Sequence, residues 1–172
     1  MPSIHTKTKA ITRHGMKVAI TGGTAGIGLA LAKQFEADGH EVVALSRRNG
    51  YNIRSIPKVT NMIESCDMFI NNAQVGFAQT ELLFEVWRRW EGQHKTIVNI
   101  GTQMTDMTVP PKREWDEYII QKKALELAEN LLIQRNKWPR QLMIRPGSIA
   151  TQPGQQPPEY KDVDRYAQGV YE

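Results

Sequence analysis

Short unbroken apolar runs alternate along the chain with longer stretches in which apolar residues recur every three to four positions. The runs are Lys17–Thr21 (KVAIT), Glu41–Leu45 (EVVAL), Asp67–Ile70, Thr96–Ile100 (TIVNI) and Gln141–Arg145. Their length and continuous apolar character suit strands buried on both faces. A shorter segment, Tyr51–Ile53, follows the second run too closely for a crossover helix and is expected as a short third strand. The helical stretches are Ile27–Asp38, stopped by Gly39; Ile56–Ser65, opened by Pro57; Gln79–Trp90; and Glu114–Asn136, ended before Pro139. A Gly/Pro-rich loop over Gln152–Pro158 and a last helix within Glu159–Tyr171 complete the pattern. Strands alternating with helices imply parallel pairing through right-handed crossovers. The fold class expected is therefore α/β: a doubly wound, Rossmann-like parallel sheet of about six strands with helices on both faces.

The chain has 172 residues, enough for one well-packed domain and too few for two ordinary ones. Hydrophobic residues make up 40%, which argues for a globular core rather than disorder. No apolar run reaches the length of a membrane span. Cys66 is the only cysteine, so an internal disulfide is impossible, and a reducing cytoplasm is the expected compartment.

The net charge is +4, and Lys7, Lys9, Arg13, Lys17 and Lys33 all precede the first acid, Glu36. The leader has no apolar segment of the secretory kind. Residues 1–15 read as a solvated basic arm and 16–172 as a single domain, with Met16 opening the first strand. The basic residues are dispersed and carry no aromatic-rich recognition motif, so no nucleic-acid partner is expected. No metal site is expected either.

Thr21-Gly22-Gly23-Thr24-Ala25-Gly26-Ile27-Gly28 ends one strand and opens a helix. Glycines there allow a tight turn, a close backbone approach to a pyrophosphate and close helix–strand packing. Backbone N–H groups at the helix start can then hold phosphates. A phosphate loop of the NTPase kind is excluded, since no Gly-Lys-Ser/Thr follows. The second strand ends Leu45-Ser46-Arg47-Arg48, without the acid that would bind a ribose 2′-hydroxyl. Arg47 or Arg48 could instead pair with a 2′-phosphate such as that of NADP, although NAD stays possible.

Tyr118 and Lys122 stand at i and i+4 of the longest helix, hence on one face. A phenol titrates near 10, and a neighbouring ammonium would favour its ionised form. Such a tyrosine can give a proton to a carbonyl oxygen or take one from an alcohol. The spacing alone is common by chance; the pair stands between the strands Thr96–Ile100 and Gln141–Arg145.

The three-residue gap between Gly22 and Gly26, with the later motifs in order, resembles the short-chain dehydrogenase/reductase family over Lys17 to Thr151. The resemblance implies a hydride transfer between NADP(H) and a carbonyl or alcohol substrate. Tyr118 would be the acid/base, Lys122 its activator and ribose ligand, and Thr102 the hydroxyl that orients the substrate oxygen. It implies that Gly22, Thr24, Gly26, Ile27 and Gly28 line the cofactor, together with Ser46, Arg47 and Arg48. Asn52-Ile53 resembles the family's Asp-hydrophobe pair beside the adenine. Asn71-Asn72-Ala73-Gln74 resembles its Asn-Asn-Ala-Gly, which puts Asn72 and Ala73 beside the cofactor. Pro146-Gly147-Ser148-Ile149-Ala150-Thr151 matches Pro-Gly-x-x-x-Thr, where Pro146, Gly147, Ile149 and Thr151 would hold the nicotinamide.

The chain also departs from the family. Val98-Asn99-Ile100-Gly101-Thr102 carries Gly and Thr where the family has two serines. The family's catalytic Asn has no counterpart in the helix Gln79–Trp90. After Thr151 no seventh strand and little substrate region follow, which would leave the edge at Gln141–Arg145 exposed. A homodimer or higher homo-oligomer through the long helices is implied, with Leu125, Leu132 and Trp138 as candidate packing residues. Two other readings stay open: a cofactor-binding sensor or interaction protein with little turnover, and a sugar-nucleotide epimerase or dehydratase, which would need a larger C-terminal substrate domain.

Overall fold

Parallel strands form the centre of the computed structural model, which describes residues 15–151 and 161–171. The elements are β1 (Lys17–Thr21), α1 (Gly26–Ala37), β2 (Glu41–Leu45), α2 (Ile56–Ile63), β3 (Met68–Asn71), α3 (Ala78–Trp90), β4 (Thr96–Ile100), α4 (Asp116–Arg135) and β5 (Arg140–Ile144). They build a five-stranded sheet in the order β2-β1-β3-β4-β5. Val18 lies between Val42 and Met68, and Val98 between Ile70 and Leu142. The apolar runs are central because both faces are covered there. Ala19, Phe69 and Ile97 pack under α2, α3 and α4, against Val59, Leu82, Val86, Trp90 and Leu125. On the other face Val18, Ile20 and Ile70 meet Ala30, Leu31 and Phe35 of α1.

The sheet has five strands, not the six the sequence pattern suggests, because Tyr51–Ile53 forms no strand. A parallel neighbour to β2 needs a crossover of about a dozen residues. Only residues 46–50 are available, and they form a 3₁₀ turn, Arg47–Asn49, capped by Ser46 and closed by Gly50. The Tyr51 N–H donates to the Ser46 carbonyl at 2.7 Å, and Ile53 drops into the core.

The C-terminal part gives a two-stranded parallel ribbon, β6 (Ile149–Ala150) with β7 (Lys161–Asp162), and then α5 (Val163–Tyr171). This ribbon does not join the main sheet, so β5 is its edge and Leu142 is 45% exposed. Helix α5 packs on α1 instead, with Ala167 buried and the Phe35 and Tyr171 rings edge to face at 4.8 Å. Beyond it, Met68, Ile70, Val98, Leu142 and Ile144 line an open groove of ≈ 840 Å³ on that face. Residues 1–14 of the expected 1–15 arm and the loop Gln152–Pro158 lie outside the described residues. Among the described residues no helix is long and apolar enough to cross a membrane.

Candidate active site

Because every strand of the main sheet runs the same way, their C-terminal ends share one edge. The chain leaves β1 toward β2 on one side and returns to β3 on the other, so a crevice opens between the ends of β1 and β3. Such a switch point is where open α/β sheets hold ligands.

The glycine loop fills the β1 end of this crevice. Gly22 has φ +70°, and a Cβ there would press to 2.8 Å from Asn72 Nδ2. At Gly28 a Cβ would overlap the Gly22 carbonyl oxygen, so the helix can start this close to the strand only with glycine. Asn72 braces the loop from β3: its Nδ2 donates to the Thr21 carbonyl at 2.9 Å, and its N–H donates to Thr21 Oγ1 at 3.0 Å. The Ala73 N–H reaches the same hydroxyl at 3.2 Å. Ile27 turns its side chain toward the α1 core cluster, leaving its backbone in the loop.

Beside the loop lies a pocket of ≈ 260 Å³. Gly22, Thr24 and Ala73 line it together with Ser46, Arg47 and Arg48. Asn52 and Ile53 close it, so the turn that replaces the expected third strand still brings both residues to this place. Asn52 is held there as a local turn, its Oδ1 accepting from the Arg54 N–H at 3.0 Å. Both arginines are exposed. Thr151 comes back across the sheet ends to meet the loop, where a Cβ on Gly26 would lie 3.4 Å from the Thr151 Cβ. Pro146 and Gly147 abut Gln103, whose N–H donates to the Pro146 carbonyl at 3.0 Å; Ile149 is buried in β6.

At the end of β4, Thr102 is 6% exposed and caps a 3₁₀ turn, Gln103–Asp106, through its hydroxyl. The Thr102 hydroxyl also faces that of Tyr118 on α4 closely enough to act on its proton affinity. Gly101, just before Thr102, lies close against β5: a Cβ there would lie 2.9 Å from Met143 Sδ. Lys122, one turn along α4, is 3% exposed, its Nζ 5.7 Å from the Tyr118 ring centroid. The three sequence-predicted residues of the catalytic group therefore sit together. Their electrostatics differ from the sequence expectation. Burial pushes the Tyr118 hydroxyl up from 10, with the Thr102 hydroxyl opposing. The Lys122 ammonium donates to the Ile100 carbonyl at 2.7 Å and to Gln79 Oε1 at 2.9 Å. Burial lowers Lys122 to about 8, with Glu126 opposing.

Gln79, Glu126 and Gln74 are parts of the site that the motif reading misses. Glu126 Oε1 accepts from Thr105 Oγ1 at 2.6 Å, and Gln74, which stands where the family has glycine, bonds Gln121 beside Lys122. A signal for Gln79 exists in the sequence: it falls on the inward spacing of α3, shared with Leu82, Leu83, Val86 and Trp90, where an apolar residue is expected. Leu125 and Leu132 are core residues rather than interface residues, and Trp138 stacks on His94 at 4.4 Å. The outward face of α4 instead presents Ile120, Leu127 and Leu131, 56%, 61% and 48% exposed.

No protein-family model and no curated protein matches the chain. Solved structures do. A short-chain dehydrogenase from Burkholderia cenocepacia J2315 in complex with NADP superposes with TM-score 0.76 at 16% identity, over 91% of this chain and 83% of that one. A small-chain dehydrogenase in complex with NADPH gives 0.71 at 19% identity, over 92% and 90%. The 3-ketoacyl-(acyl-carrier-protein) reductase from Brucella melitensis complexed with NADH gives 0.70 at 16%, over 92% and 90%. The fold is thus the Rossmann-like fold of the short-chain dehydrogenases/reductases.

Proposed function

We propose that the protein is an oxidoreductase that moves a hydride between NADP(H) and a carbonyl or alcohol substrate. The observation that carries this reading is the convergence of Thr102, Tyr118 and Lys122 at the sheet edge that also carries a glycine loop in which a Cβ at Gly22 or Gly28 would collide. A backbone stripped to that degree fits a pyrophosphate. Arg47 and Arg48 fit a 2′-phosphate, and Asn52 and Ile53 an adenine. The cofactor, when bound, supplies or accepts the hydride. Thr102 orients the substrate oxygen with its hydroxyl. Tyr118 gives that oxygen its proton as the carbonyl becomes an alcohol, or takes it back in the reverse direction. Lys122 holds a positive charge next to the phenol, favouring its ionised form, and binds ribose hydroxyls. The stripe Ile120, Leu127 and Leu131 is the face through which two copies would pair.

NADPH consumption across a panel of ketones and aldehydes tests this reading. Tyr118→Phe is expected to abolish turnover while retaining NADPH binding; unchanged turnover would refute it. One observation favours a second reading, a cofactor-binding protein without efficient turnover: Tyr118 is raised, and Lys122 is engaged by Gln79 and Ile100. NADPH binding with no substrate consumed by either wild type or Tyr118→Phe would select it.

A further inference from the structure

Gln79 interrupts an otherwise apolar stripe. It is 2% exposed at the start of α3, among Leu82, Leu83 and Val86. Burying a carboxamide there carries a desolvation cost that a leucine or methionine would not. Its hydrogen bonds show what the group does. Nε2 donates to the Asn71 carbonyl at 2.7 Å and to the Ile100 carbonyl at 3.1 Å. With both amide hydrogens on carbonyls, the atom turned to Lys122 Nζ at 2.9 Å has to be the oxygen. The Gln79 main chain is tied down as well, its carbonyl accepting from Asn71 Nδ2 at 3.0 Å. Asn71 Nδ2 also reaches Asn99 Oδ1 at 3.0 Å, so β3, β4 and α3 all fix this carboxamide.

We propose that Gln79 is a positioning residue: its Oε1 and the Ile100 carbonyl take two of the three Lys122 donors and thereby aim the third toward the Tyr118 side of the site. An ammonium has three donors at tetrahedral angles, so holding two sets the direction of the last. Accepting from the ammonium also favours its cationic form, against the burial that lowers Lys122 to about 8. The other ionisable groups facing Lys122 are Tyr118 and Glu126, both on α4; Arg145, past β5, lies against Glu126 at 3.9 Å, and Glu129 follows Glu126 by one turn.

The inference rests on the proposed function for its catalytic meaning, but its test does not need turnover. In ¹³C-lysine-labelled protein the Lys122 Cε resonance, assigned by its loss in Lys122→Met, reports the titration directly. In the wild type, the Gln79 side-chain amide resonances are expected to shift with the same midpoint. Gln79→Met removes the acceptor, and the Lys122 midpoint is expected to fall by about one pH unit or more, the scale of a hydrogen bond to a charged group. Gln79→Glu places a carboxylate there and is expected to move it upward. If turnover is present, the alkaline limb of kcat/KM follows the same direction, and Gln79→Met has no further effect on a Lys122→Met background.

A wild-type Gln79 amide indifferent to the Lys122 titration would overturn the inference even if neither variant folds. So would a Lys122 midpoint unmoved in a folded variant. A wild type that consumes no NADPH instead overturns the proposed function and leaves the Lys122 titration to decide on Gln79.

Discussion

Glu129 sits on the inner face of α4, 4% exposed, with Oε2 unpartnered among the described residues. Burial pushes its carboxyl from 4.5 up to about 7; the Asn99 side chain opposes this and the Glu126 charge adds to it. The folded protein therefore holds a proton that the unfolded chain releases earlier. Below about pH 4.5 both states are protonated and Glu129 is no burden. As pH rises, the unfolded chain ionises first, so stability falls until the folded-state value near 7 is passed and is then level. At about 1.4 kcal/mol per pH unit, ionising Glu129 in place costs about 3 kcal/mol, fully present by pH 8.

Glu129→Gln keeps the shape and removes the charge. Relative to wild type it is expected to gain under about 1 kcal/mol at pH 5 and about 3 kcal/mol at pH 8. Urea unfolding at the two pH values, with the slope m unchanged, measures both gains. The variant-minus-wild-type difference isolates Glu129 from every other titrating group. An equal difference at pH 5 and pH 8 would refute the reasoning, because it would mean that the carboxyl ionises in the folded protein as readily as in the unfolded chain.

Replacing Arg47 and Arg48 together by alanine is expected to weaken NADPH binding by about 10- to 100-fold, the scale of lost charge-assisted hydrogen bonds, while leaving NADH nearly unchanged. Calorimetric titration of both cofactors checks this, and equal losses would remove the arginines from the 2′-phosphate. Gly28→Ala forces a Cβ into the Gly22 carbonyl and is expected to cost about 1–3 kcal/mol of stability together with the NADPH-induced thermal shift. Leu127→Asp with Leu131→Asp is expected to leave a monomer in light scattering; a wild type already monomeric would count against the α4 interface.

The sequence makes most of the sheet legible because strand burial on two faces leaves an unmistakable mark, an apolar run with no alternation. β1, β2 and β4 fall where KVAIT, EVVAL and TIVNI put them. Tyr51–Ile53 misleads because local apolar character cannot count the residues that a crossover needs, and β2 remains an edge strand. Leu125 and Leu132 are ambiguous for a related reason. α4 is apolar toward the sheet and again on its outward face, so periodicity does not say which stripe is core.

The chemistry divides in the same way. Glycines at Gly22 and Gly28 and the pair Tyr118 and Lys122 are written in local spacing, since a turn and one helical repeat determine them. Gln79 and Lys122 are 43 residues apart, and Glu129 meets Asn99 only across α4 and β4. What a buried polar group touches depends on which elements pack against it, and its proton affinity depends on how much water they exclude. Local spacing therefore fixes a strand, a glycine loop and a helix, with a tyrosine and a lysine on one face of a later helix. That the lysine ammonium is held by a glutamine from another helix follows from packing, because desolvation and hydrogen-bond direction exist only once those helices have closed over the sheet.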